Sequence, residues 1–331
     1  MFLNYISIPE LNFSKSWEDG LNKIKNLNSF DKFLTIFWLL GPFIYLIERD
    51  PADLWLTMIG LFFLVRCIKK KDWGWTSQIW FKSAFILWLF GLFSAVTSSD
   101  PLFTLQQGFV WIRFPIYVAA AQAWLAKDRD IRIIMLLSML IGMLIMCTIL
   151  IAETLIVPKT RLTWPYGDLV PGGYISKVSL PLFCVLIAIA VSNKGKAGMI
   201  SGMIGLLSIG VSALTGERTN FLIRACGGIL ASIVWKPKFI MISALVLVEI
   251  LAVSAVFFSR PDLSNRFGKQ FIDNIPFANT SDNNPYWGAW RGGIQQALIT
   301  PVKGIGPSGT RNTCLNLDTN LPEWLPGRNY C

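Results

Sequence analysis

Four arginines stand where the sequence could do chemistry: Arg161, Arg218 and Arg291 in polar stretches beside long apolar blocks, and Arg113 inside one. A guanidinium is a planar fork that binds phosphate oxygens through two parallel bonds and stays charged at any relevant pH. The chemistry to expect is the grip of a phosphate or diphosphate. Arg218 opens an apolar block, where a helix dipole favours an anion. The same position suits an arginine that snorkels to lipid headgroups, and spacing alone is consistent with either role. Arg291 follows Trp287 by one turn and by itself reads as a solvated helix face. Arg161 belongs to the loop 153–177, with Lys159, Asp168, Tyr174 and two Gly-rich turns. The run Gly304-Ile305-Gly306-Pro307-Ser308-Gly309 offers backbone amides as neutral donors. Alone it is an ordinary turn, since no strand precedes it as a dinucleotide fingerprint requires.

Arg113 lies 12 residues from Pro101, about 18 Å along a helix and near a bilayer centre. Charges at that depth face a cavity or a partner, so Arg113 is the expected intramembrane site. Arg224 lies about 9 Å inward from Arg218 and is within snorkelling reach. No histidine occurs in the chain, which removes the commonest general base and metal ligand. The six cysteines have no metal spacing. Cys67, Cys147, Cys184 and Cys226 sit in apolar blocks as small hydrophobes. No metal and no cofactor are expected.

The elements that must carry these residues are membrane helices. Of 331 residues 53% are hydrophobic and 15% charged, against about 25% charged in an average soluble domain. Residues 133–152 and 197–216 hold no charge, and 239–259 hold only Glu249. Each block is about 20 residues, the length that spans a bilayer. Soluble enzymes, disordered chains and disulfide-knotted domains are excluded. The expected fold is an all-α polytopic membrane protein of about nine transmembrane helices, at 33–49, 51–68, 82–99, 101–126, 132–153, 174–193, 197–216, 218–235 and 239–259. Alternate loops up to residue 259 hold sixteen lysines and arginines against five. The excess of basic residues on one side places the N-terminus in the cytoplasm and everything after residue 259 outside. It also accounts for the net charge of +10 without nucleic acid.

The expected organisation is a cytoplasmic amphipathic segment (1–30), a transmembrane helical domain (31–259) and a periplasmic loop segment (260–331). In the first, Trp17, Leu21, Ile24 and Leu27 recur at helical spacing, which suits either a helix on the inner membrane surface or one that packs on a neighbour. In the last, Asn284-Pro285 reads as an N-cap and first helical residue. Trp287, Trp290, Ile294 and Leu298 then form an apolar stripe for a membrane interface. Cys314 and Cys331 fall in the segment assigned to the oxidising compartment, so a disulfide between them is expected.

Taken in order, these pieces resemble a known family. Leu214-Thr215-Gly216-Glu217-Arg218-Thr219-Asn220 resembles the "TGSRG" region of the O-antigen ligase and O-antigen polymerase superfamily. Trp290-Arg291, Ala297, Pro301, Gly304, Ile305, Gly306 and Pro307 resemble its next motif, "R…W…A…P-x-x-G-x-G". The loop 159–177 resembles its first outer loop, in which an arginine precedes a Gly-rich turn. The likeness covers most of 150–310; the first four spans match only as hydrophobic spans.

The resemblance implies a metal-independent GT-C membrane glycosyltransferase of the bacterial inner membrane. Such enzymes move a glycan from an undecaprenyl diphosphate carrier to an acceptor such as lipid A–core at the periplasmic face. It implies that Arg218 and Arg291 hold the donor diphosphate, with Arg161 as a third. A histidine of the large loop is the family's proposed base. This sequence reaches Gly327-Arg328-Asn329-Tyr330-Cys331 about where that motif begins. The expectation is therefore a chain truncated before its base, with Glu217, Asp318 and Glu323 as substitutes recommended only by location. Within the superfamily a polymerase or a protein O-glycosyltransferase fits the same motifs. Outside it, the alternatives are a lipid-linked sugar transporter or flippase, which would show internal repeats that are not found here, and an inactive fragment.

Overall fold

The computed structural model describes residues 13–98, 100–157, 162–167, 173–192, 195–234, 261–267 and 285–307, with seven further positions between 246 and 258. Among the described residues every regular element is helical. Four helices among the described residues are long and apolar enough to cross a membrane: α4 (Arg49–Lys70), α5 (Ile79–Val96), α8 (Arg129–Ile156) and α10 (Lys196–Leu214). A fifth candidate is the pair α2 (Ser29–Leu39) and α3 (Gly41–Ile47), bent by 49°. This is the build of a multi-pass α-helical membrane protein. The remaining helices are α1 (Phe13–Lys25), α6 (Pro101–Val110), α7 (Arg113–Ala120), α9 (Leu180–Ser192), α11 (Arg218–Val234), α12 (Pro261–Phe267) and α13 (Pro285–Ile299).

Three expected spans differ in form. The stretch 33–49 bends because Pro42, in the first turn of α3, has no N–H to bond back into α2. The stretch 101–126 is not one helix: α6 stops at Val110, α7 restarts at Arg113, and a π turn follows at Ala121–Leu125. Pro115 lies one turn past the break and cannot supply the next ladder bond. The stretch 174–193 opens with a second π turn, Tyr174–Val178, before α9. Most of 239–259 lies outside the described residues.

The chain divides into two compact units, residues 1–55 with 124–264, and residues 56–123 with 265–331. In the first unit α8, α9 and α10 enclose a core of Met143, Met146, Leu150, Leu182, Leu186 and Val211. A stripe of small residues in α10, Gly198, Ser201, Gly205, Ser208 and Ser212, is buried at alternating spacings of three and four. Small residues let membrane helices approach closely, and a Cβ on Gly205 would sit 3.2 Å from Ile187 of α9.

The amphipathic helix α1 takes the packing role of the two left open. Gly20 and Ile24 are buried, while Trp17 is exposed. A Cβ at Gly20 would lie 3.1 Å from the Asp130 carbonyl oxygen. Lys23 Nζ binds Asp128 at 2.8 Å and Asp130 at 2.6 Å. Burial alone would raise the Asp128 carboxyl; the Lys23 ammonium and the Asp130 and Ile131 amides outweigh it and hold the group below its ordinary 3.8.

In the second unit Ile59, Phe63 and Cys67 of α4 are buried, and Trp75 packs edge-on against Phe81 at 4.5 Å. The hairpin from α5 to α6 is closed by hydroxyls. Thr104 Oγ1 donates to the Asp100 carbonyl at 2.7 Å and lies 2.6 Å from Ser98 Oγ. Asp100 caps α6 through the Phe103 amide.

Candidate functional site

In the first unit the polar machinery gathers at the C-terminal end of α8. Glu153 is fully buried there. Its carboxylate accepts from Thr163 N at 3.0 Å, Thr163 Oγ1 at 3.1 Å and Trp164 N at 2.8 Å. A buried carboxylate needs such donors, and these two backbone amides fix the segment 162–167. Tyr166 Oη donates to the Tyr45 carbonyl at 2.8 Å, and burial pushes its phenol pKa up. Tyr174 Oη donates to the Pro42 carbonyl at 2.6 Å. Both tyrosines therefore bond the backbone of α3.

The π turn at Tyr174–Val178 is fastened from α11. Arg224 is fully buried and donates through Nη2 to the Ile175 carbonyl and, at 2.7 Å, to Ser179 Oγ. Its guanidinium lies 4.4 Å from the centre of the Phe183 ring, a cation–π distance. The expected snorkelling of Arg224 is thus not found. A π turn disturbs the helical bond ladder, and Arg224 spans that irregularity.

The segment resembling "TGSRG" turns between α10 and α11. Thr215 Oγ1 donates to the Ser212 carbonyl at 2.7 Å and accepts from Glu217 N at 3.3 Å. Gly216 has φ +73°, the left-handed conformation that ends a helix and favours glycine. Arg218 is the first residue of α11, and Asn220 is buried. The Arg218 side chain lies outside the described residues, as do Arg161, Asp318, Glu323 and the expected disulfide partners Cys314 and Cys331.

In the second unit α13 carries Arg291, which is 2% exposed. Trp287 and Gln296 are buried on the same helix. Trp290 and Leu298 are each 51% exposed, so the expected apolar stripe is split. The inward face carries the arginine, and two of the apolar side chains point outward. The solvated-face reading of Arg291 is corrected by this burial.

The turn after α13 is also not an ordinary one. Gly304 has φ +70° and Gly306 φ +82°. Gly306 N donates to Ser94 Oγ of α5 at 2.9 Å. A Cβ at Gly304 would lie 2.9 Å from Ser94 Oγ, and one at Gly306 3.2 Å from Ala95 Cα. Both glycines are thus required by conformation and by close approach. The turn 303–307 forms one wall of a cavity of about 610 Å³, with α5 and the α6–α7 junction as the others.

Arg113 begins α7 beside the helix break, half-buried, 5.1 Å from the Phe114 ring centre. Among the described residues no three Cys, Asp or Glu side chains converge as a metal site. Arg218 belongs to the first unit; Arg113 and Arg291 belong to the second. Glu153 is the residue that sequence reasoning passed over, and Arg224 was read there only as an arginine within snorkelling reach. The one signal for Glu153 was its place directly after the charge-free block that ends at Ala152. No family model matches this chain, no curated protein matches it, and no solved structure matches it.

Proposed function

We propose that the chain is the membrane body of a metal-independent glycosyltransferase of the O-antigen ligase type. It has nine crossings and a cytoplasmic N-terminus. In this reading α2/α3, α4, α5, α6/α7, α8, α9 with its π turn, α10, α11 and residues 239–259 each cross once. The donor is a glycan on undecaprenyl diphosphate and the acceptor is lipid A–core, met at the periplasmic face of the bacterial inner membrane. Arg218 and Arg291 grip the diphosphate, and Arg161 adds a third contact.

The observation that carries the reading is Arg291. It is almost wholly buried on α13, the helix that leads into a turn whose two glycines are locked against α5. Burying a guanidinium is costly, so the position is not that of a surface charge. As the glycosyl–oxygen bond breaks, negative charge grows on the departing diphosphate. Bidentate arginines stabilise that charge more than they stabilise the ground state. Glu153 is a poor candidate for the acceptor's base, because amide and hydroxyl donors already occupy its oxygens.

The test is binding of undecaprenyl diphosphate to the purified 331-residue protein. Arg291→Ala is expected to weaken it more than tenfold, and Arg291→Lys to restore little, because an ammonium lacks the fork. A correctly folded Arg291→Ala protein that binds the diphosphate like the parent would overturn the assignment.

A further inference from the structure

The second unit holds a cavity that the diphosphate site does not explain. It has a volume of about 610 Å³, within the range of small-ligand sites. One wall is a face of α5 from Ala84 to Ser94, and another is Trp111, Phe114 and Pro115 at the α6–α7 break. The end wall is the turn 303–307, which brings a single charged group, Lys303. Everything else that lines the cavity is apolar, aromatic, glycine or the Ser94 hydroxyl already bonded to Gly306.

Gly91 explains why the space exists. It is the only glycine of α5, and a mid-helix glycine weakens a helix relative to alanine. Many helix glycines are kept because a neighbour comes close. At Gly91 a Cβ would meet nothing within 4 Å. A side chain there would project into the cavity.

We infer that this cavity, opened by Gly91 and ended by Lys303, holds one acyl chain of an anionic phospholipid, with its phosphate at the Lys303 ammonium. Three observations select that occupant. The face from Ala84 to Ser94 is eleven residues long, a rise of about 15 Å along the helix, half of a hydrocarbon core of about 30 Å. That is the depth of one leaflet and of one acyl chain. Only 17% of α5 is buried, against 44% of the most apolar 18-residue stretch of α8 and of α10, and the lining residues Leu87 and Phe90 are themselves exposed. The cavity therefore continues into the surrounding hydrocarbon, from which a chain enters sideways. Lys303 sits at one end only, which matches a lipid charged at one end and attracts an anionic headgroup over a neutral one.

The test is native mass spectrometry of the full chain in detergent, titrated with phosphatidylglycerol, phosphatidylcholine or undecaprenyl phosphate. The parent is expected to retain phosphatidylglycerol several-fold better than phosphatidylcholine. Gly91→Phe fills the cavity and is expected to cut phosphatidylglycerol retention at least tenfold. Its unfolding temperature should match or exceed the parent's, since phenylalanine is the better helix former; Gly91→Leu repeats the test with a smaller group. Lys303→Gln is expected to leave the two phospholipids equal. Unchanged phosphatidylglycerol retention in both folded Gly91 variants would overturn the site. Undecaprenyl phosphate binding that exceeds phosphatidylglycerol binding in the parent and is lost in Gly91→Phe would overturn the occupant. Neither outcome bears on the diphosphate grip of Arg291, which is read from Arg291 variants.

Discussion

Arg224 and Arg113 are the same residue type in the two units of one molecule, and they are handled in opposite ways. Arg224 is fully buried, bonded to the Ile175 carbonyl and Ser179 Oγ, and stacked on Phe183. Arg113 is half-buried where a helix breaks, beside Phe114. The first unit invests its buried polar groups in closure, with Glu153 and Arg224 each fastening irregular backbone. The second leaves a cavity beside its break and lines it with rings. A charged residue in an apolar helix is thus no guide to function by itself. What distinguishes the two is burial: Arg224 is fully buried and Arg113 is half-buried.

The comparison breaks most visibly at Glu153. Glu153→Leu strands the Thr163 and Trp164 amides without an acceptor. At about 1–3 kcal/mol for each buried unsatisfied donor, the loss should be about 2–6 kcal/mol. Thermal unfolding in detergent reads it, and Glu153→Gln should cost less because one oxygen remains. Equal stability of the leucine variant and the parent would remove closure as the role of this unit's polar groups.

The arginine pair sharpens the contrast. Arg224→Met should cost about 2–3 kcal/mol, because it orphans a carbonyl and empties a packed site. Arg113→Met should cost under about 1 kcal/mol, as a partly exposed charge does. Paired unfolding curves decide it, and the reverse order would contradict the account.

Gly306→Ala probes the locked turn. A left-handed conformation costs a non-glycine residue about 1–2 kcal/mol, and the new Cβ would also press on Ala95, Ser98 and Thr104 at 3.2–3.3 Å. A loss of about 1–3 kcal/mol is expected from the two effects together. Gly293, with nothing within 4 Å of its Cβ, should accept alanine without loss.

The smallest effect belongs to Lys23. Its ion pairs are substantially exposed and worth little. The folded Asp128 carboxyl titrates below its ordinary 3.8. Its contribution is therefore complete above that value and is lost as pH falls through the folded one. Hydrogen exchange of residues 13–25, corrected for intrinsic rates, should accelerate between pH 5 and pH 3 on the order of severalfold. In Lys23→Met it should already be fast at pH 5.

Much of the helical body was legible because hydrocarbon forces a simple pattern. A charge-free block of about 20 residues has few alternatives to a spanning helix, and α8 and α10 form where the blocks at 133–152 and 197–216 place them. The breaks were not legible. Pro42 and Pro115 stand in plain view, but a proline in a membrane helix is tolerated or kinks according to its neighbours. The π turns carry no sequence signal at all. At the candidate site the Gly-rich run was visible, but its tight packing on α5 was not, since that depends on Ser94, some 210 residues earlier. Arg291 was found by motif, and its burial could not be foreseen from a helix face that reads as solvated.

The proposed function requires Arg218 and the turn after Arg291 to face the same side of the membrane, where a lipid-linked diphosphate would be gripped. Thr219 and Val302 are exposed neighbours of these two places. The direct measurement labels Thr219→Cys and Val302→Cys with a membrane-impermeant maleimide in intact spheroplasts, in a background without the six native cysteines. The account predicts that both label from outside, while Lys127→Cys labels only after the membrane is opened. Labelling of Thr219→Cys and Val302→Cys from opposite sides would contradict it.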